Sequence, residues 1–328
     1  MNNKLKVLIG QYASLSQTTI NLMKPLLDEN VELLFEKSND FDVLICGAPS
    51  REDLEFSSKL HDVIMPWAGI SPQLRDLIGD FPQIHLHNSH HNAVTTGEMA
   101  IALMMAAARS IPSTDAKMHQ CDWSPRNNND QINYVLYGRT ALILGFGAIG
   151  QHVALTCQAL GMNVLGIRRS PKKPILSNLN AKVYGPEALD ELLPKTNVLI
   201  ITIPGTDETR GMIGSEQFAL MPDNGLLINV GRGEVVDQHA LYKALQNGKL
   251  HAAGIDVWYN YPEKNNNIQQ PADVPIHELT NVVMSPHRGG AGGTGEAENL
   301  RAREMARLLN TAARGEPMPN LVDISLGY

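Results

Sequence analysis

TALILGFGAIGQHVALTCQALGMNVLGIRRS (140–170) is the stretch whose reading decides the fold. Its first five residues form a short apolar run bounded by glycines, as a buried strand would. Gly145-Phe146-Gly147-Ala148-Ile149-Gly150 follows at once, and a helical pattern opens near Gln151. In a G-x-G-x-x-G that leaves a strand and opens a helix, each glycine has a physical purpose. Gly145 permits the tight turn, Gly147 lets a pyrophosphate approach the backbone, and Gly150 lets the helix pack on the strand. The free N–H groups of the new helix, at Ala148 and Ile149, then offer a positive dipole end to phosphate. The stretch therefore predicts a dinucleotide site on a Rossmann sheet.

The next strand, NVLGI (163–167), ends in Arg168-Arg169-Ser170. That is the place, about 20 residues past the glycines, where an NAD site usually sets an acid on the ribose hydroxyls. No carboxylate occurs before Glu187. Arg168 and Arg169 could instead clamp a 2′-phosphate with their planar forks of donors. NADP(H) is expected over NAD(H). The alternative is two solvated charges on a site that takes either cofactor.

Working outward, further apolar runs follow at KVY (182–184), NVLIITI (197–203), LLINV (226–230), AAGIDV (252–257) and NVVMS (281–285), with helical patterns between most of them. This predicts a doubly wound parallel sheet of six or seven strands. The first ninety residues repeat the rhythm at KVLIG (6–10), ELLF (32–35), DVLICG (42–47), DVIMP (62–66) and QIHLHN (83–88), a second α/β lobe. Between the two lies GEMAIALMMAAARS (97–110), apolar nearly all round, expected as a helix sealed between lobes or against another subunit. The polar run Cys121–Asn133, with Asn127–Asn129, reads as a surface link, and KNNNIQQPAD (264–273) as a loop beside the chemistry. The pattern from Gly295 onward is helical and is expected to return to the first lobe.

At 328 residues the chain exceeds what one core usually fills, so two lobes and a cleft are expected. A net charge of −7 and no long basic run exclude an electrostatic footprint for nucleic acid or anionic membrane. A small-molecule partner fits better. The three scattered cysteines, with no C-x-x-C pair, argue against a disulfide framework and a zinc site. No signal or membrane-spanning pattern is present at the start, and a cytoplasmic location is expected.

Three residues lie at carboxyl ends of strands in the second series, where an open α/β sheet binds its ligand. Arg232 lies in Asn229-Val230-Gly231-Arg232-Gly233 after LLINV, Asp256 near the end of AAGIDV, and His287 after NVVMS. Hydride transfer to a 2-oxo acid needs a cation for the carboxylate and a proton donor for the forming alkoxide. Arg232 suits the first by bidentate pairing, and His287 the second because its ordinary pKa lies near neutrality.

With these motifs in order, the sequence resembles the D-isomer-specific 2-hydroxyacid dehydrogenases, the group that includes phosphoglycerate, glyoxylate/hydroxypyruvate and formate dehydrogenases. The resemblance runs from about Leu60 to Met305. It rests on AGI (68–70), NAVTTGE (92–98), Arg109, Trp123, LYGRTALILGFGAIG (136–150), PGTDETRGMI (204–213), INVGRGEVVD (228–237), GIDVW (254–258) and SPHRGG (285–290). It implies a Rossmann domain, 93–294, inserted into a flavodoxin-like substrate domain made of 1–92 and 295–328, and a homodimer. By position it gives Arg232 the substrate carboxylate and His287 the acid–base role beside the cofactor. Asp256 matches the aspartate that holds the nicotinamide carboxamide. Ala68 and Gly69 match a loop whose backbone meets the substrate carboxylate, and Pro204, Thr209 and Val230 fall along the cofactor wall.

One position departs from the pattern. Most members place an acid five residues past the strand aspartate, just before a proline, where it hydrogen-bonds the histidine and raises its pKa. Here that place holds Tyr261, followed by Pro262 and Glu263. Without the carboxylate the imidazolium is less favoured, so a more acidic optimum for carbonyl reduction is expected. Glu263 could swing in as a substitute. Formate dehydrogenases also replace this acid, with an amide, so redox chemistry survives its loss. A dehydrogenase of another small anion and a catalytically weak dinucleotide sensor remain alternatives. Finally, His85, His87, His90 and His91 place i, i+2 imidazoles on one strand face. They fit polar loop residues near the hinge better than a metal site, with His90 or His91 able to touch substrate.

Overall fold

The structure, a computed structural model, describes residues 4–10, 15–36, 38–126, 133–264 and 266–324. Asn127–Asn129, read above as part of a surface link, lie outside the described residues, as does Asn265 of the 264–273 loop. The chain divides into two compact units, residues 1–92 with 291–328, and residues 93–290.

The first unit holds strands β1 (Leu5–Ile9), β2 (Val31–Leu34), β3 (Val43–Ile45), β4 (Asp62–Met65) and β5 (His85–Asn88). All are paired in parallel in the order β2-β1-β3-β4-β5, which is the flavodoxin-like order. β3 and β4 are buried throughout, so they read as unbroken apolar runs and not as alternations. The long helix Gly295–Ala313 packs its Ala302, Met305, Ala306, Leu308 and Leu309 onto Val7, Val43, Ile45 and Ile64. The tail beyond it is tied back by Val322 N–H donating to Leu86 O at 2.8 Å.

The second unit carries β6 (Thr140–Leu144), β7 (Asn163–Ile167), β8 (Lys182–Tyr184), β9 (Val198–Ile201), β10 (Gly225–Asn229), β11 (Leu250–Ile255) and β12 (Val282–Met284). Their order is β12-β11-β10-β9-β6-β7-β8, again all parallel. This is the doubly wound Rossmann arrangement, and the strand order reverses between β6 and β9. The apolar helix, Ala93–Ala108, finds its partner within this unit. Its Ala100, Leu103, Met104, Ala107 and Ala108 join Ile228 and Ala252 of the sheet in one core. Gly254 makes room for it, since a Cβ there would stand 2.8 Å from that of Leu103.

Candidate active site

The glycine turn follows the carboxyl end of β6, beside the end of β9. Gly145 has φ +107°, a conformation that L side chains rarely adopt, and its N–H donates to Ile167 O at 3.0 Å. Gly150 is packed so closely that a Cβ would lie 2.1 Å from Gly145 O. A Cβ on Gly147 would meet nothing within 4 Å. Gly147 is also the N-cap of the helix Ala148–Ala159 and brings no side chain to its free N–H groups. Two glycines are thus required by packing, and the middle one leaves open space over a helix N-terminus, the arrangement a pyrophosphate needs.

The flanking residues expected along the cofactor are placed less uniformly. Thr209 is buried and closes the 204–209 loop: it donates to Pro204 O at 2.8 Å and accepts from Thr206 N at 2.8 Å. Val230 is buried after β10. Arg168 differs from the expectation of two guanidiniums turned to a ligand. Its guanidinium donates to the carbonyls of Pro171, Lys173 and Pro174, so it braces its own loop, and burial lowers its pKa. Arg169 and Ser170 are exposed at the end of β7.

Around β10, β11 and β12 the chain builds a second constellation. Asn229 accepts Gly231 N–H at 3.0 Å and donates to Arg232 O at 2.9 Å, which shapes the turn carrying Arg232. Gly233 lets that turn press on the next one: a Cβ there would be 2.4 Å from Trp258 O. Asp256, buried at the end of β11, accepts Arg288 N–H at 2.9 Å on one oxygen and Gly289 N–H at 2.8 Å on the other. Trp258 holds the same loop from the other side, its indole N–H donating to Ser285 O at 2.8 Å. Between these anchors stands His287, itself at φ +57°. A left-handed histidine is sustained only where surrounding bonds over-determine it, and here they do.

His287 Nδ1 lies 2.8 Å from the Tyr261 hydroxyl, which also accepts Trp258 N–H at 3.2 Å. Glu263 does not take that position. It is exposed, and its backbone carbonyl accepts Asn266 N–H at 3.0 Å. Enclosure of part of the ring and the positive charge of Arg232 push His287 below the usual imidazole value, with Asp256 pulling the other way. Arg232 is exposed, donates to Gly231 O at 2.7 Å, and has no acidic partner among the described residues. Its neighbour Arg210 is neutralised by Glu234. Arg210, Arg232, Trp258, Asn260 and Tyr261 line a common recess of about 390 Å³.

In the other unit, Ala68 and Gly69 follow β4, and Ala68 O accepts from the Asn88 side chain at 3.0 Å. The imidazoles of His85 and His87 do share a strand face, but its centre is Asp62, at 3.3 and 3.2 Å. Against the burial that would raise it, His61 and His87 hold the Asp62 carboxyl well below the usual range. His91 bonds Ser89 at 2.9 Å and accepts from Arg301 at 3.3 Å, its pKa pushed down to about 4 by burial and that positive charge.

Residues 101–289 match the family model described as "D-isomer specific 2-hydroxyacid dehydrogenase, NAD binding domain". The chain belongs to the D-isomer specific 2-hydroxyacid dehydrogenase family. It is 30% identical over 296 residues to the D-3-phosphoglycerate dehydrogenase of Methanocaldococcus jannaschii, covering 89% of this chain and 54% of that one. The chain thus spans about half the length of the phosphoglycerate dehydrogenases it matches. It is 35% identical over 300 residues to the glyoxylate reductase of Thermococcus onnurineus, covering 89% and 86%. Among solved structures, a D-isomer specific 2-hydroxyacid dehydrogenase from Xanthobacter autotrophicus, crystallised with NADPH and MES, superposes with TM-score 0.77 at 22% identity over 99% of this chain and all of that one. The residues matched to that NAD binding domain, 101–289, fall within the 93–290 unit, and the open glycine turn fits a dinucleotide.

Sequence reasoning named Arg232, Asp256 and His287, which the structure places around β10, β11 and β12, but missed three holding contacts: the clasp of Asp256 on the 288–289 backbone, the Trp258 anchor, and the Tyr261 bond to His287. The signal for the first was present in Gly289-Gly290 directly after the histidine. A Cβ on Gly289 would stand 2.8 Å from Asp256 Oδ2.

Proposed function

We propose that this chain is an oxidoreductase that moves a hydride between a nicotinamide dinucleotide, NADP(H) in preference, and a small 2-hydroxy or 2-oxo acid. The observation that carries the reading is Arg232, exposed and without an acidic partner among the described residues, which lines the same recess as Tyr261, whose hydroxyl bonds His287. Arg232 and His287 both stand at the carboxyl-end side of the sheet that bears the glycine turn. When bound, the nicotinamide supplies or accepts the hydride. Arg232 binds the substrate carboxylate by paired N–H donation. His287 Nε2 gives a proton to the carbonyl oxygen in reduction and takes it from the hydroxyl in oxidation. Gly147, Ala148 and Ile149 would hold the pyrophosphate through their backbone N–H groups. Asp256 first positions the histidine loop, and each of its oxygens keeps a lone pair with which to meet a carboxamide.

The NADP preference rests on the absence of an acid at the end of β7 and on exposed Arg169 and Ser170 there, with Arg168 acting on the loop that follows. Homodimer formation is supported by large apolar side chains left exposed in the 93–290 unit, with Ile111 at 52%, Trp123 at 63% and Tyr137 at 79%. The test of the activity is a panel of glyoxylate, hydroxypyruvate, pyruvate and bulkier 2-oxo acids, each with NADPH and NADH. Turnover that Arg232→Ala and His287→Ala both depress strongly is expected. Dinucleotide binding with no turnover across the panel contradicts it and favours a sensor.

A further inference from the structure

We propose that Tyr261 is the positioning residue of the acid–base histidine. Its hydroxyl, fixed by the Trp258 backbone N–H, holds Nδ1 of His287 by a hydrogen bond that carries no charge, and so leaves Nε2 as the nitrogen that exchanges a proton with substrate. The inference rests on the acid–base reading of His287 and adds to it the identity and chemistry of the group that orients the ring.

The geometry assigns the bonds one at a time. A phenol has one proton to give and room for two donors. Trp258 N–H uses one acceptor site at 3.2 Å, and Trp258 is itself immobilised, its indole bonded to Ser285 O at 2.8 Å. The phenol is therefore anchored to the same residue that anchors the histidine loop. The contact of 2.8 Å to Nδ1 lies in the normal hydrogen-bond range, and the two rings are tilted at 47° with centroids 5.6 Å apart. Nε2 of His287 has no partner among the described residues.

A hydroxyl differs from a carboxylate in what it permits. When His287 carries two protons, Nδ1–H donates to the remaining acceptor site of Tyr261. The phenol proton then turns to water, since Tyr261 is 48% exposed. When Nε2 has passed its proton to the substrate oxygen, the same Nδ1–H bond persists. In the other neutral tautomer the phenol donates to Nδ1. The ring is thus held in every protonation state by rotation of one O–H, whereas a carboxylate holds only the forms with a proton on Nδ1 and stabilises the cation among them. Among the described residues the charges that act on His287 are Arg232, which opposes its positive charge, and Asp256, which favours it, while Tyr261 bonds the ring through a hydroxyl. The pair is built for a histidine that gives up its proton easily.

The test compares Tyr261→Phe and Tyr261→Glu with the unaltered enzyme, using the NMR titration of His287 and the pH profile of carbonyl reduction. Tyr261→Glu should raise the His287 pKa by about one unit or more, as an adjacent opposite charge does, and carry the alkaline limb of reduction upward with it. Tyr261→Phe, which keeps the ring but removes the hydroxyl, should lower kcat about tenfold at nearly unchanged KM. It should also alter the balance of neutral tautomers while leaving the pKa close to its original value. A His287 pKa indifferent to glutamate at 261, or a phenylalanine variant with full kcat and the same tautomers, overturns the proposal. The NMR readings need no turnover. If the chain proves inactive while glutamate shifts the titration and phenylalanine shifts the tautomers, the pairing stands and the catalytic reading falls.

Discussion

Replacing Asp256 by asparagine turns one of two oxygens into an NH2 group at a buried position where each oxygen accepts a backbone N–H, from Arg288 at 2.9 Å and Gly289 at 2.8 Å. An amide can satisfy only one of those donors and opposes the other. Losing one hydrogen bond to a charged acceptor and leaving its donor orphaned costs about 2 kcal/mol or more. For a unit of this size that lowers Tm by roughly 4–8 °C. The catalytic consequence is larger than the thermal one, because the two N–H groups follow His287 directly and set where its ring stands. A misplacement of about 1 Å costs on the order of a hundredfold in rate. Removing the negative charge also withdraws the influence that favours the imidazolium. Asp256→Asn should therefore show a modest fall in Tm by calorimetry, a loss of kcat on the order of a hundredfold in carbonyl reduction, and an alkaline limb moved further toward acid. Gly289→Ala supplies an independent control, since its Cβ would crowd Asp256 Oδ2 at 2.8 Å without changing any charge. It should lose rate without moving the limb. An asparagine variant with unchanged Tm and kcat would refute the claim that this carboxylate holds the histidine loop.

Other expectations follow from the same geometry. Because the His287 pKa is lowered, and reduction needs the protonated ring, kcat/KM for glyoxylate should fall as pH rises from the acid side; a flat profile between about pH 5 and pH 8 would contradict this. Arg169→Asp should weaken NADPH roughly tenfold or more while sparing NADH, whereas Arg168→Asp should loosen the 171–174 loop and affect both cofactors alike in steady-state titrations. Gly150→Ala should destabilise the fold by about 1–3 kcal/mol or more, through a Cβ 2.1 Å from Gly145 O. Gly147→Ala should instead keep its Tm in the absence of cofactor and lose only dinucleotide affinity, readable by calorimetric titration.

Much of the fold was legible because inner strands buried on both faces, as β3, β4, β9 and β10 are, are written as apolar runs, and each of the twelve stretches quoted from the sequence overlaps one of β1 to β12. The glycine turn was legible for a different reason: Gly145 and Gly150 are fixed by sterics that no other residue type satisfies. What the sequence hid were contacts set by how loops fold back. Arg168 lies at the expected strand end, yet its guanidinium goes to three carbonyls within six residues, a choice that spacing does not reveal. The apolar helix Ala93–Ala108 signalled burial but not its partner, which is the sheet of its own unit. The shared face of His85 and His87 follows from strand alternation, but Asp62 at its centre comes from the neighbouring strand and needs the β4–β5 register to be seen. Tyr261 stood out only as a missing acid. That its hydroxyl returns to His287 depends on the turn at 258–261, where Tyr259 N–H and Asn260 N–H both donate to Pro271 O.

The most direct measurement is a crystal structure of the ternary complex with NADPH and an unreactive 2-oxo acid analogue such as oxamate. It should show pyrophosphate oxygens on the N–H groups around Gly147, the analogue's carboxylate paired with Arg232, and its carbonyl oxygen within hydrogen-bond reach of His287 Nε2. A pyrophosphate bound elsewhere, or a carboxylate that avoids Arg232 while Nε2 faces only solvent, would contradict it.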